Sequence, residues 1–433
     1  MSTDGYPARR IFVICATALF TAGLSFSLRA ASIGAIEAQV LAPIDATGSA
    51  TLAGRLLGVA FLGFAATLGL GSAFLDAIGM GRMLFAAGLA FAAGTGVVVF
   101  AGSVAAGDAV YRVLWSGFLL SGLGWGFVEA SINPLTAALY PQDKTHRLNV
   151  LHAWWPAGLI VGGLAGLGVA ALGLSWRVQI SLVIGPALLA AALCLGTPFP
   201  RTERASAGVS MGEMFGEVLR RPMFLVWWGC MFLTAASELA PGQWIDLTLS
   251  RSVGMRGIWL LVYVSGMMFV LRHFAGPIAH RLSNVGMLWG SAALACLGLL
   301  ALPRADSPAT GLLAATVWGL GVCFMWPTML ANVSERYPRG GELFIGLMGV
   351  AGALSIHFVL PELGAIFDRA KLAAAGGEEA FAALEGGALH AVLRAASETS
   401  FQTLSILPAV LVGVFGALWL RDRRAHRSLR SPA

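Results

Sequence analysis

The sequence predicts an all-α membrane protein of twelve transmembrane helices, arranged as two pseudo-symmetric six-helix bundles. Three observations carry that prediction. The 433 residues are 57% hydrophobic and only 12% charged, where a soluble chain would carry about a quarter charged residues. The apolar residues fall into about twelve runs, each near the roughly 20 residues that a helix needs to cross a bilayer. A segment of the fourth run recurs in the tenth.

In chain order the runs lie near 10–36, 51–77, 83–104, 111–139, 149–172, 176–196, 222–247, 257–278, 285–302, 309–333, 343–367 and 401–420. An even number of spans puts both termini on one side. About 17 of the 28 Lys and Arg fall on that side, including Arg9, Arg10 and the arginines of the tail. Short cytosolic loops collect Lys and Arg, so the termini are expected in the cytosol. The net charge of +6 is thus topology and no sign of nucleic-acid binding. The expected location is the cytoplasmic (inner) membrane, multi-pass.

The longest cytosolic connection divides the chain. Residues 1–196 are expected as the N-terminal bundle, 197–221 as a cytosolic inter-bundle loop and 222–433 as the C-terminal bundle. On the other side, 368–400 is rich in Ala, Gly and Glu and reads as a solvated connector, with a surface helix as the alternative.

The repeat aligns GLGWGFVEASINPLTAALYP, starting at Gly122, with GLGVCFMWPTMLANVSERYP, starting at Gly319. Six of the 20 positions are identical: Gly122/Gly319, Leu123/Leu320, Gly124/Gly321, Phe127/Phe324, Tyr140/Tyr337 and Pro141/Pro338. Two parallel six-helix repeats are the sequence signature of a transporter with its site between the halves. The pairs Gly54/Gly58 and Gly158/Gly162 have the spacing of close helix contacts.

Four ionisable residues sit well inside spans: Arg29, Glu129, Glu238 and Arg272. Charges at that depth are costly and mark pathways or partners. From the cytosolic ends, the helical rise puts Arg29 at ~28 Å, Glu238 at ~24 Å, Glu129 at ~16 Å and Arg272 at ~14 Å. Depth therefore matches Arg29 with Glu238 and Arg272 with Glu129. Trp125, Glu129 and Asn133 share one helix face through i, i+4 spacing, which gives Glu129 the surroundings of a binding site. Glu129 is the candidate for proton coupling. His152 and Trp154 open span five. Gln243 and Trp244 follow Pro241-Gly242 in span seven, and Trp326-Pro327 stands in span ten. Prolines there should free backbone carbonyls toward a cavity. His357 reads as a core histidine.

These residues resemble the major facilitator superfamily, and within it the fucose:proton symporter family of hexose uptake. Span four (GLGWGFVEASINPL) is similar to that family's glycine-rich helix, which places Glu129 on its coupling carboxylate. Arg147-Leu148-Asn149 with Trp154, Glu238 with Gly242 and Trp244, the pair Arg272 and Arg281, and Trp326-Pro327-Thr328 with Gly364 and Asp368 match further family patterns. Asp76 and Gly79 remain of the loop motif after span two, with Ala77 where an arginine is usual. Two departures stand out. The resemblance implies an aspartate in span one, and this chain has Arg29. It implies a glutamine early in span five, and this chain has His152.

The expected function is secondary active transport of a sugar or sugar-like small polar solute by alternating access, coupled to protons. The expected substrate-binding residues are Arg29, Trp125, Glu129, Asn133, His152, Trp154, Glu238, Gln243, Trp244 and Trp326. Arg272 and Asp76 are expected as gating or ion-pair residues. Partners are the solute, protons and the lipid bilayer, without nucleic acid, and the chain is read as a monomer. One alternative is an anionic cargo, a sugar acid or other carboxylate, which Arg29 and His152 would suit. Another is a non-transporting membrane sensor or scaffold. The five cysteines and seven histidines show no metal-ligand spacing, no cofactor is implied, and no enzyme motif appears.

Overall fold

A computed structural model describes residues 6–140, 144–200, 212, 216, 220–249, 254–272, 281–337 and 341–428. All regular structure among the described residues is helical. In the first half, α1 is Ala8–Ile36, α2 is Ser49–Ile78, α3 is Met80–Val99 and α4 is Asp108–Leu139. A short helix, Lys144–His152, precedes α5 (Trp154–Ala171), and α6 spans Trp176–Cys194. In the second half, α7 is Pro222–Leu249, α8 is described over Ile258–Arg272 and α9 is Asn284–Ala301. Then α10 runs over Pro308–Val322 and resumes as Met325–Arg336, α11 is Gly341–Ala375 and α12 is Gly386–Ser428. Eleven of these are long and apolar enough to cross a membrane, and α8 is a shorter apolar helix over its described residues. Most of the expected inter-bundle loop lies outside the described residues.

One connection takes the alternative rather than the leading expectation. The segment 368–400 is helical over most of its length, because α11 continues to Ala375, Glu378–Ala382 forms a short helix and α12 begins at Gly386. Its Ala- and Glu-rich composition favours helix over open loop. The breaks fall at Gly376, Gly377 and Gly386, whose φ angles of 88°, 129° and 55° suit glycine alone.

The sequence repeat is also a repeat of contacts. A Cβ on Gly122 would meet α2 at Ala60 O, and one on Gly319 would meet α8 at Met267 and Val264. Gly124 faces α3 at Ala87 and Phe91, as Gly321 faces α9 at Ala295. Tyr140 and Tyr337 end their helices with nearly the same backbone, φ/ψ −128°/60° and −130°/59°. A following proline excludes the helical region at each. Each tyrosine meets a phenylalanine at 6.0 Å and 84°, Phe12 of α1 for one and Phe224 of α7 for the other.

The halves meet where α2 packs along α11, α5 along α8 and α1 along α7. Exchanging the halves turns the first contact into the second. The predicted glycine pairs make the close approaches. A Cβ on Gly54 would lie 2.3 Å from Leu360 O of α11, and one on Gly158 would lie 2.3 Å from Phe20 O of α1. His357 is a packing histidine, with Nδ1 3.1 Å from Gly58 O.

Between described residues, every hydrogen bond that joins the halves lies from mid-membrane outward, away from the side of the termini. Gln243 donates to Phe26 O, Arg256 to Ala31 O, Thr51 to Asp368 and Lys371 to Ala46 O. These contacts hold the two halves together on the far side. In its first loop, Asp45 accepts from the backbone N–H of Gly48 and from Thr47, and those donors, Gly48 first, hold its carboxyl below the usual range.

Candidate functional site

The α4 face read from the sequence forms the first part of the site. Asn133 Nδ2 lies 3.5 Å from Glu129 Oε2, and Asn133 Oδ1 lies 2.8 Å from His152 Nε2. With the carboxylate taking the amide N–H, the amide oxygen is left as acceptor, so His152 Nε2 carries the proton and donates. Three residues from α4 and the start of α5 thus form one polar line. It ends in the carboxylate of Glu129, which is half-buried.

The second part forms at the break in α10. Pro327 has no N–H, so the carbonyl four residues back, Cys323 O, loses its helical partner. Arg272 of α8 fills that vacancy with Nε at 3.1 Å. Its Nη2 lies 3.2 Å from Glu238 Oε1 of α7, and Glu238 Oε2 accepts the Trp326 N–H at 3.3 Å. The ion pair therefore straddles the break and satisfies both of its loose ends.

This corrects the depth matching, which joined Arg272 to Glu129 and Arg29 to Glu238. Depth along an axis ignores which helices are neighbours. Here α7, α8 and α10 belong to one half, and their polar groups satisfy one another first. Arg29 instead lies in the other half, 5% exposed, among aromatic rings. Its Cζ is 6.0 Å from the Phe61 ring, 5.9 Å from Phe118 and 6.0 Å from Trp125. Its one hydrogen bond among the described residues runs from Nε to Ser25 O, one turn back on α1.

Those rings belong to a cluster that sequence reasoning largely missed. Trp125 stacks on Phe64 (4.5 Å, 5°) and on Trp155 (5.0 Å, 20°), and Phe26 meets Trp155 edge-on at 5.6 Å. Trp155, and not Trp154, joins the site. Trp154 is 43% exposed and shares an outer helix face with Val161, seven residues on. The available signal was spacing: Gly158 and Gly162 mark the α5 face that meets α1, and Trp155 lies closer to that face than Trp154 does.

The span-seven candidates are both buried, Gln243 against α1 and Trp244 against α11. Gln243 Nε2 donates to Phe26 O at 2.9 Å, and Trp244 meets Phe367 edge-on at 6.4 Å. The expected break at Pro241 does not occur, since α7 is continuous. The carbonyl that Pro241 frees, Ser237 O, takes the Trp318 indole N–H at 3.1 Å and stays buried. Trp326 is half-buried, with its ring against Gly352 of α11. Asp76 lies near the end of α2, and its side chain is outside the described residues. A cavity of about 500 Å³ opens on the side of the termini, lined by Arg82, Phe85, Thr197 and Phe199 among others, and none of the candidate residues lines it.

Comparison with known proteins bears on the fold. The family model of the Major Facilitator Superfamily matches residues 11–359. No curated protein matches the chain. Among solved structures, that of a D-xylose-proton symporter superposes with a TM-score of 0.70 at 14% identity, covering 91% of this chain and 96% of that one. A partially occluded, inward open form of the xylose transporter XylE from E. coli gives 0.74 at 12% identity, covering 94% and 97%. The E. coli fucose:proton symporter FucP gives 0.62 at 15%, covering 94% and 98%. At such identities the likeness is one of fold.

Proposed function

The chain belongs to the major facilitator superfamily, and from that premise we propose that it is a secondary transporter moving a sugar or sugar-like small polar solute across the cytoplasmic membrane, coupled to protons. The two bundles, 1–196 and 222–433, rock about a central site as a monomer. The Lys and Arg asymmetry supports cytosolic termini. On that orientation the side where these hydrogen bonds join the halves is the outer one, which suits an inward-facing state.

The observation that carries the proposal is the polar line from Glu129 through Asn133 to His152. It holds a titratable carboxylate, Glu129, tied through Asn133 to the imidazole of His152. Aromatic faces beside a few fixed polar groups are the usual lining of a small-molecule site. Trp125 and Trp155 suit the apolar face of a sugar ring, and Asn133 and His152 suit its hydroxyls. Glu129 would take a proton when the site is loaded and release it on the inner side. The solved relatives titled as xylose-proton and fucose-proton symporters agree with this reading.

The test is uptake of radiolabelled sugars by proteoliposomes under an imposed pH gradient. Wild type should accumulate its solute above equilibrium. Glu129→Gln should lose accumulation and keep solute exchange. Full pH-driven accumulation by that variant would overturn the coupling role. A second reading, an anionic cargo, is favoured by Arg29, which meets no carboxylate among the described residues.

A further inference from the structure

We infer that the solute carries a carboxylate, that Arg29 binds it, and that it crosses together with one proton on Glu129, so that the loaded and empty sites have the same charge. The inference rests on the transport reading above and names its substrate class as a sugar acid.

The charge balance of the centre is the argument. Glu238 and Arg272 are in contact and cancel. That leaves Arg29 on α1 and Glu129 on α4, which form no ion pair with each other among the described residues. A buried lone charge is costly, and buried charges are normally paired. Arg29 is nine-tenths buried, yet its only hydrogen bond within the described chain uses Nε. Both Nη groups are left to a ligand, and a guanidinium fork matches a carboxylate in bidentate fashion. Phe61, Phe118 and Trp125 fix the fork, because planar guanidinium groups pack against aromatic rings.

The empty site, with Glu129 ionised and Arg29 charged, sums to zero. A solute anion alone would leave one negative charge, and a proton alone one positive charge. Both together restore zero. The group that meets Glu129 is Asn133 of its own helix, and His152 at the start of α5 meets the far side of that amide. Neither supplies a second proton-linked negative charge. The proton and the anion therefore favour each other's binding, which is coupling without a conformational relay.

The experiment uses the full-length protein with D-galacturonate, D-glucuronate and D-gluconate as probes, against D-galactose and D-glucose. Ligands of the folded state raise the unfolding temperature. The acids should raise it for wild type and the neutral sugars should not. Arg29→Gln should weaken the acid response about tenfold or more, the worth of a charge-assisted hydrogen-bond pair. Glu129→Gln, a mimic of the protonated acid, should keep it. If Arg29→Gln does not fold, Arg29→Lys replaces it, and loss of the fork geometry should still weaken the acid response. In proteoliposomes, uptake should follow the pH gradient and ignore a potassium potential set with valinomycin. An unchanged acid response in the Arg29 variants, or no acid response in wild type, overturns the assignment. Uptake that grows with the potential overturns the charge balance. Transport of neutral sugars alone defeats this inference and leaves the transporter reading standing, whereas uptake of neither class removes both.

Discussion

Asp368 Oδ2 accepts hydrogen bonds from the Thr51 N–H at 2.8 Å and the Thr51 hydroxyl at 2.6 Å, so a carboxylate of α11 caps the start of α2 across the two halves. The first N–H groups of a helix have no partner inside it, and a carboxylate there also meets the positive end of the helix dipole. Lys371 pairs with the same carboxylate at 2.7 Å and donates to Ala46 O. This latch closes the far side, and it must part whenever that side opens.

Asp368→Ala should therefore shift the balance toward an open far side. Loss of a charged cap is worth about 1–2 kcal/mol, roughly a tenfold change in the closed-to-open ratio. Spin labels at Ala106→Cys and Glu379→Cys, both on exposed far-side segments, would report it by dipolar distance measurement. A longer-distance population should grow in Asp368→Ala and much less in Asp368→Asn, which keeps an acceptor. An unchanged distance distribution would remove the latch.

The Glu238–Arg272 pair predicts a different pattern. Glu238→Gln leaves Arg272 largely buried without its counter-charge, at a cost of about 3–5 kcal/mol, so the unfolding temperature in detergent should fall sharply. The double variant Glu238→Gln with Arg272→Gln removes both charges and should recover most of the loss. If the double variant is as unstable as the sum of its parts, the pair is not the coupling that holds α7, α8 and α10 together.

Much of this architecture was legible because it is written in periodicity and composition. Span length, the Gly122/Gly319 and Gly124/Gly321 identities and the Glu129, Asn133 face are all one-dimensional patterns, and helix geometry turns them directly into contacts. The partners of Arg29 and Arg272 were not legible, because they depend on which helices adjoin. Depth alone cannot separate a carboxylate on a neighbouring helix from one across the bundle. The extended helices between Asp368 and Ser400 were legible only as an alternative, because hydropathy ends at the bilayer and helix does not. Trp155 was lost to Trp154 by a rotation of one residue.

The repeated glycines differ in what stands against them, and that yields an asymmetric prediction. A Cβ on Gly122 would lie 1.9 Å from Ala60 O, a backbone atom that cannot step aside. A Cβ on Gly319 would lie 2.3 Å from Met267 Cε, the free end of a flexible side chain. Overpacking costs about 1–3 kcal/mol or more where backbone must shift, and less where methionine can re-pack. Gly122→Ala should thus lose folded yield and unfolding temperature well beyond Gly319→Ala. Equal losses would mean that the two halves tolerate crowding alike despite these contacts.

Trp154 and Trp155 are adjacent, and the structure assigns them to different surroundings. Trp155 stacks on Trp125 at 5.0 Å and meets Phe26 at 5.6 Å, beside the rings that hold Arg29, whereas Trp154 is largely exposed on the outer face of α5. An aromatic contact of this kind is worth about 0.5–1.5 kcal/mol beyond its buried area. Removing Trp155 also frees Trp125 to move, and with it one wall of the Arg29 enclosure. Trp155→Ala should raise the KM for uptake about tenfold while Trp155→Phe, which keeps a ring, recovers most of the affinity. Trp154→Ala should stay within about twofold of wild type, as expected of an outer-face side chain. Initial-rate uptake with a concentration series separates the three variants. A larger KM effect at Trp154 than at Trp155 would return the solute contact to Trp154 and place the binding surface on the other face of α5.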